Sequence, residues 1–233
     1  MNNTVLYQYE ISPFCAKVRR VLQLKGLAYE VRNIGALATQ LGGVKRLSPQ
    51  GKLPVLDIGG ERLADSSLIV RELERRFPAV APLIPDDEQQ RAQVHLWEDW
   101  ADESLYFLEV YLRFAVKENR DYWAGRVCAA DPAWFAAIAR PIVPATMMKQ
   151  LKAQGMGRKS LAQVLTELDQ HLQMLNALLY ERDWLVGGQI TLADIAVAVQ
   201  LQAIAATPQG KQALLAYPDV QSWLARSGEN GKA

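Results

Sequence analysis

Ser12-Pro13-Phe14-Cys15 brings a hydroxyl, a proline and a thiol together where a β-branched and aromatic run, Thr4 to Tyr9, gives way to a helical one, Phe14 to Leu24. Serine is a preferred N-cap and proline a preferred first helical residue, so the unpaired first-turn amides are expected to point at whatever lies above Ser12. The helix dipole, roughly half a unit charge, favours an anion there. If that anion is a thiolate supplied by a ligand, the dipole and the Ser12 hydroxyl together lower its pKa. The same residues serve equally well as a plain helix cap. Cys15, at the third helical position, is within reach of the dipole and could attack or form mixed disulfides; a lone cysteine without a CxxC partner also suits a small buried position. Tyr7 and Tyr9 share a strand face by period-two alternation, where either hydroxyl could compete with Ser12 as donor or pack in the core.

Two further places could hold a ligand. In Lys52-Leu53-Pro54-Val55 a proline stands at the entry of a strand. A cis Leu53–Pro54 bond would turn the Leu53 N–H and C=O outward to pair with an extended, peptide-like ligand; a trans bond would make it an ordinary strand entry. Asp65-Ser66-Ser67 opens a third helical pattern. Ser66 with the first-turn amides suits a carboxylate and Asp65 an ammonium, so an amino-acid head group fits the pair; simple capping fits it too.

These residues need a scaffold, and the chain is long enough to provide one. Its 233 residues, 50% apolar and 22% charged, describe a packed protein. With 26 Lys plus Arg against 25 Asp plus Glu the formal charge is +1, which gives no field to hold a polyanion, so neither nucleic acid nor an anionic membrane is expected as partner. The start, MNNTVLYQYE, lacks a basic segment followed by an apolar one, and no run of about eighteen apolar residues occurs, so a cytoplasmic protein is expected. Two cysteines far apart, Cys15 and Cys128, and two histidines supply neither a disulfide framework nor a zinc site, and metal-free chemistry is expected.

Patterning gives β-α-β-α-β-β-α over the first eighty residues: strands at Thr4 to Tyr9, Tyr29 to Ile34, Val55 to Ile58 and Glu61 to Ala64, helices at Phe14 to Leu24, Leu37 to Leu47 and Ser66 to Phe77. Gly59-Gly60 suits the hairpin turn. Pro78 to Asp87 carries three prolines in ten residues and reads as a linker. Beyond it all patterns are helical: Glu88 to Asn119, Pro132 to Gln154, Ser160 to Arg182, Thr191 to Ala206 and Pro218 to Arg226, with a polar, frayed tail from Ser227 to Ala233. Thr191 and Asp194 form a capping box at the head of an almost wholly apolar helix, a folding role that takes them out of the site. The fold class is α/β followed by all-α, with domains at residues 1–79 and 89–233 and a linker at 80–88.

In order, SPFCAKVRRVLQLKGLAYE, LSPQGKLPVL, ADSSLIVRELERRF and GGQITLADIAVA resemble the cytosolic glutathione transferase family over nearly the whole chain. The resemblance implies a thioredoxin-like domain followed by a helical one. It also implies glutathione as co-substrate, with no metal: its cysteine pairs with the Leu53 backbone before a cis Pro54, its γ-glutamyl end meets Asp65 and Ser66, its glycine end nears Lys52, and Phe14 adds to the site. Ser12 matches the serine that assists the thiolate in tau-like and zeta-like members, where omega-like members have cysteine. A glutaredoxin-type motif would need a cysteine at Ser12, and Asp65 replaces the more usual glutamate. The implied activity is transfer of the glutathione thiolate, with Ser12 or Cys15 catalytic, to a small, mostly apolar electrophile, in a detoxifying homodimer. One or two of the aromatic residues Trp97, Trp100, Tyr106, Phe107, Tyr111 and Phe114 could wall the electrophile's pocket. Two other functions fit the same fold: glutathione-dependent thiol–disulfide exchange through Cys15 or glutathione itself, and non-catalytic binding of a protein partner.

Overall fold

Val5–Gln8 (β1), Glu30–Asn33 (β2), Val55–Ile58 (β3) and Glu61–Ala64 (β4) form one sheet in the order β2-β1-β3-β4 in the computed structural model, which describes residues 4–229. β1 runs parallel to β2 and antiparallel to β3, and β3 and β4 form a hairpin. Gly59 and Gly60 take φ of 64° and 84° in its turn, where positive φ at both positions matches the twist of the strands and suits glycine. The edge strand β2, EVRN, is exposed along its length, and its charges guard its open side.

Helices Pro13–Leu24 (α1), Ala36–Gln40 (α2), Gly43–Leu47 (α3) and Ser66–Arg76 (α4) complete this part. Leu6, Val55 and Leu56 of the sheet, Val18, Val21 and Leu22 of α1, and Ile69, Val70 and Leu73 of α4 have no exposed surface, and α1 packs against α4. Apolar spacing of three and four places these side chains on one face of each helix. The middle helix expected over Leu37 to Leu47 is split in two, because Gly42 adopts a left-handed φ of 77° between the halves. Buried Lys25 closes α1: its ammonium donates to the carbonyls of Phe77 and Val80 at 3.1 and 2.9 Å and pairs with Glu74 at 2.7 Å, tying down the end of α4 and the first prolines.

After the proline-rich stretch the elements are helical: Glu88–Trp100 (α5), a π-helical turn at Ala101–Leu105, Tyr106–Phe114 (α6), Lys117–Val127 (α7), Ala133–Ala139 (α8), Val143–Gln154 (α9), Leu161–Leu179 (α10), Leu192–Ala205 (α11), Pro208–Leu214 (α12) and Pro218–Glu229 (α13). A short 3-10 turn at Met156–Arg158 precedes α10. The helix expected over Glu88 to Asn119 is therefore interrupted. Buried Asn119 donates its side-chain amide to the Leu112 carbonyl at 2.8 Å, satisfying an end of α6 that a continuous helix would have satisfied itself. The pattern over Pro132 to Gln154 breaks at Pro141, which has no N–H to continue α8, and Pro144 stands in the first turn of α9, where proline is tolerated. The tail expected to fray from Ser227 remains helical to Glu229, with Ser227 buried; residues 230–233 lie outside the described residues.

By contact the chain forms two units. The N-terminal one runs to Pro82 and takes in Ala124–Val143; the helical one holds Leu83–Trp123 and the chain from Pro144 onward. In the helical unit, α11 is buried along nearly its whole length, and its head is fixed by Asp194. That carboxylate accepts from the Thr191 and Leu185 N–H groups at 2.8 and 2.9 Å and from Trp223 Nε1 at 2.9 Å.

Candidate functional site

Register brings the candidate ligand residues to one end of the sheet. Tyr7 pairs with Val55 and Val55 with Ala64, so the chain leaving Tyr7, the chain entering Val55 and the chain leaving Ala64 meet at the same edge. These lead to Ser12, Leu53-Pro54 and Asp65-Ser66 respectively. Gln8 pairs with Asn33, which adds the approach to α2. This is the carboxyl end of the parallel pair, where open α/β sheets take their ligands.

Ser12 is the N-cap of α1 with extended backbone, φ −77° and ψ 125°, and Pro13 follows as first helical residue. Ser12 Oγ accepts from the Cys15 N–H at 3.4 Å and the Ser12 carbonyl from the Ala16 N–H at 3.0 Å. The first turn is less open than unpaired amides would be: Pro13 has no N–H, and that of Cys15 meets Ser12. Ser12 is partly exposed, and its hydroxyl sits at the positive end of the helix dipole. Phe14 is partly exposed beside it. Cys15 has no exposed surface; burial pushes its thiol up, against the opposing pull of the Ser12 hydroxyl, the Tyr9 backbone and Arg19.

The two tyrosines separate. β1 ends at Gln8, so Tyr9 stands beyond the strand rather than on the face of Tyr7. Tyr7 lies beneath the Arg32 guanidinium, 5.8 Å from the ring centre. The Tyr9 hydroxyl meets Thr39 Oγ1 of α2, and Thr39 Oγ1 donates to the Gly35 carbonyl at 3.1 Å. Burial holds the Tyr9 phenol above its usual pKa; Thr39 pulls it down, and the charges of Asp131 and Cys15 push it up.

Leu53–Pro54 is cis. Leu53 lies just outside the ladder, whose last β1–β3 pair is Tyr7 with Val55, so its backbone is not engaged in the sheet register. Lys52 is exposed and Pro54 buried. Asp65 is the exposed N-cap of α4, and its φ of 77° is left-handed. One carboxylate oxygen, Oδ1, accepts from the Ser67 and Leu68 N–H groups at 3.0 and 3.1 Å. Asp65 is thus a helix cap that still faces solvent: Oδ1 is committed to α4 while the residue remains exposed. Ser66 is buried at the first helical position.

Other residues were invisible to local pattern. Lys17 of α1 is fully buried and donates to Ser67 Oγ at 3.2 Å, placing a cation at the head of α4. Gln8, also buried, donates to Asn33 Oδ1 at 2.8 Å and accepts from Arg19. Thr39, Gly35 and Asp131 join at α2. A polar residue on an otherwise apolar helix face, as Lys17 is, was the one signal available. Among the described residues no three His, Cys, Asp or Glu side chains stand close enough to share a metal ion, and no helix is long and apolar enough to cross a membrane.

The model for the N-terminal domain of glutathione S-transferases matches residues 6–82, and that for their C-terminal domain residues 132–226. A probable glutathione S-transferase, MSR-1, from Nicotiana plumbaginifolia is 29% identical over 126 residues, which are 54% of this chain and 52% of that protein. Maleylacetoacetate isomerase of Mus musculus is 31% identical over 131 residues, 53% of this chain and 59% of that one. The chain spans about half the length of the curated relatives it matches. Among solved structures, β-etherase LigF from Sphingobium has a TM-score of 0.71 at 21% identity, covering 97% of this chain and 95% of that one. Rice GST1 in complex with glutathione has 0.69 at 21%, covering 98% and 87%. At these identities the structural likeness speaks for the fold, a thioredoxin-like domain followed by helices.

Proposed function

The chain belongs to the glutathione S-transferase family, and from that premise we propose that it activates glutathione as a thiolate at the head of α1 and transfers it to a small, mostly apolar electrophile. The observation that carries this is the Ser12 N-cap: a partly exposed serine at the positive end of a helix, at the sheet edge where Leu53-Pro54 and Asp65-Ser66 also arrive.

Ser12 donates a hydrogen bond to the sulfur and keeps its proton, and the α1 dipole favours the same negative charge, so the bound thiol releases its own proton to solvent more readily than a free one. The Leu53 backbone pairs with the cysteinyl part of the tripeptide, Asp65 and Ser66 take its ammonium and carboxylate, and Lys52 and Phe14 complete its seat. The thiolate forms a C–S bond to the electrophile, whose displaced electron pair leaves with a leaving group or takes up a proton. The gain comes from orientation and from a lowered thiol pKa. Burial of Cys15, with its thiol pushed up, argues against thiol–disulfide exchange through that residue. A cytosolic, detoxifying role and a two-fold homodimer accompany this reading.

Calorimetric titration with glutathione, paired with the ultraviolet difference spectrum of the bound thiol, tests it. Expected are heat of binding at or below millimolar ligand and a thiolate band whose midpoint lies below the free thiol value of about 8.5. Absence of heat at millimolar glutathione would leave a non-catalytic binder of the same fold. Heat without a thiolate band would remove Ser12 from its role.

A further inference from the structure

The N-cap of α2 is Gly35, which has no side chain to cap it with, and the helix's first amides are met from far along the sequence. Asp131 Oδ2 accepts from the Ala36 N–H at 3.0 Å and Oδ1 from the Leu37 N–H at 2.9 Å. The approach is close enough to require glycine: a Cβ on Gly35 would stand 2.1 Å from Asp131 Oδ1. An aspartate before a proline ordinarily caps its own helix. Here α8 has no side-chain cap, and the carboxylate goes to α2 instead. The segment carrying Asp131 holds the N-terminal unit a second time, through Arg126 and Glu10 at 3.2 Å, and Glu10 is two residues from Ser12.

From α2 the connection continues inward. Thr39 takes the Tyr9 hydroxyl, and the Tyr9 carbonyl accepts from the Ser12 N–H at 3.2 Å. A helix of five residues cannot hold itself, so two charge-assisted bonds at its head are a large part of what fixes it. The geometry points to Asp131 as a positioning residue for Ser12, acting through α2, Thr39 and Tyr9 on the turn that presents the serine hydroxyl. Its functional meaning rests on Ser12 assisting the glutathione thiolate. The charge of Asp131 is felt at Tyr9 as well, where it adds to the larger effect of burial in keeping the phenol protonated.

Asp131→Ala and Gly35→Ala attack the contact from its two sides in the full chain. Gly35 has φ −84°, which alanine accepts, so the second variant displaces the carboxylate without removing its charge and carries the test if the first does not fold. Amide exchange followed by NMR should show Ala36 and Leu37 opening about tenfold faster in each variant, the scale of a lost cap, with Ser12 and Cys15 accelerating alongside. In conjugation assays kcat should fall about tenfold while the glutathione KM moves less than about twofold, and the double variant should lose no more than either single one. Exchange at Ser12 and Cys15 that stays at the wild-type rate while Ala36 and Leu37 open would overturn the proposal, whatever the chain does with glutathione. Wild-type kcat in both variants, or losses confined to KM, would overturn it too. A wild-type chain that neither binds nor activates glutathione would instead overturn the reading of the site, and the exchange rates at Ser12 would still decide the role of Asp131.

Discussion

Because Thr39 Oγ1 gives its own proton to the Gly35 carbonyl, the proton between Tyr9 and Thr39 has to come from Tyr9. That leaves Tyr9 no second proton for a sulfur. Ser12 Oγ, by contrast, accepts from the Cys15 N–H and keeps its own proton for a further partner. Of the two, counting donors therefore favours Ser12 over Tyr9 as the partner of a sulfur. Ser12→Ala is therefore expected to lower kcat/KM for conjugation by about a hundredfold, the scale of one lost donor to a developing or resident anion. Tyr9→Phe, which removes a bond at α2 rather than one to the sulfur, is expected to cost less than about tenfold. Steady-state rates with an aryl halide and glutathione separate the two, and a larger loss in Tyr9→Phe than in Ser12→Ala would assign the donor to the tyrosine.

Within elements, α6 carries the most exposed conflict between burial and charge. Glu109 and Arg113 pair one turn apart in α6, both buried, and the Arg113 guanidinium lies 3.9 Å from the centre of the Trp123 ring. Loss of water outweighs the pull of Arg113, and the Glu109 carboxyl is pushed up to about 7. The folded chain therefore holds this proton where the unfolded chain has already released it. The contribution of Glu109 is full below its ordinary value near 4.5 and is lost as pH rises through about 7. Urea midpoints should fall between pH 5 and pH 8, and Glu109→Gln, although less stable for weakening the contact with Arg113, should flatten that fall; an unchanged slope would place the titrating group elsewhere. Patterns of this kind mark what sequence could and could not say. The strands, α1, α4 and the head of α11 were legible because apolar period, cap residues and turn glycines all lie within a few positions of one another. The split of α2 from α3 and the break after Phe114 were not, since they depend on Gly42 taking a left-handed φ and on Asn119 reaching back to Leu112. Asp131 was hidden most thoroughly. Followed by Pro132 it looks like the start of its own helix, and nothing near it announces a partner 95 positions away.

The same distant partnership shapes how the whole chain should come apart. The polypeptide passes between its two units three times, after Pro82, after Trp123 and after Val143, so the N-terminal unit is built from two stretches with α5, α6 and the start of α7 between them. Two of those passages fall inside continuous helices, α7 and α9. Asp131 thus stands on a segment joined at each end to a helix whose residues are divided between the units. Such an arrangement disfavours a state with one unit folded and one not, and calorimetry should record a single transition whose van't Hoff and calorimetric enthalpies agree. Glutathione, proposed to bind residues of the N-terminal unit alone, should then raise the entire transition, by about 2.7 kcal/mol at a hundredfold excess over its dissociation constant. The near-ultraviolet signal of Trp223, buried in α13 of the helical unit, should move with it. Two resolved transitions, with only one displaced by glutathione, would show that the returning segment adds contacts without joining the units into one cooperative whole.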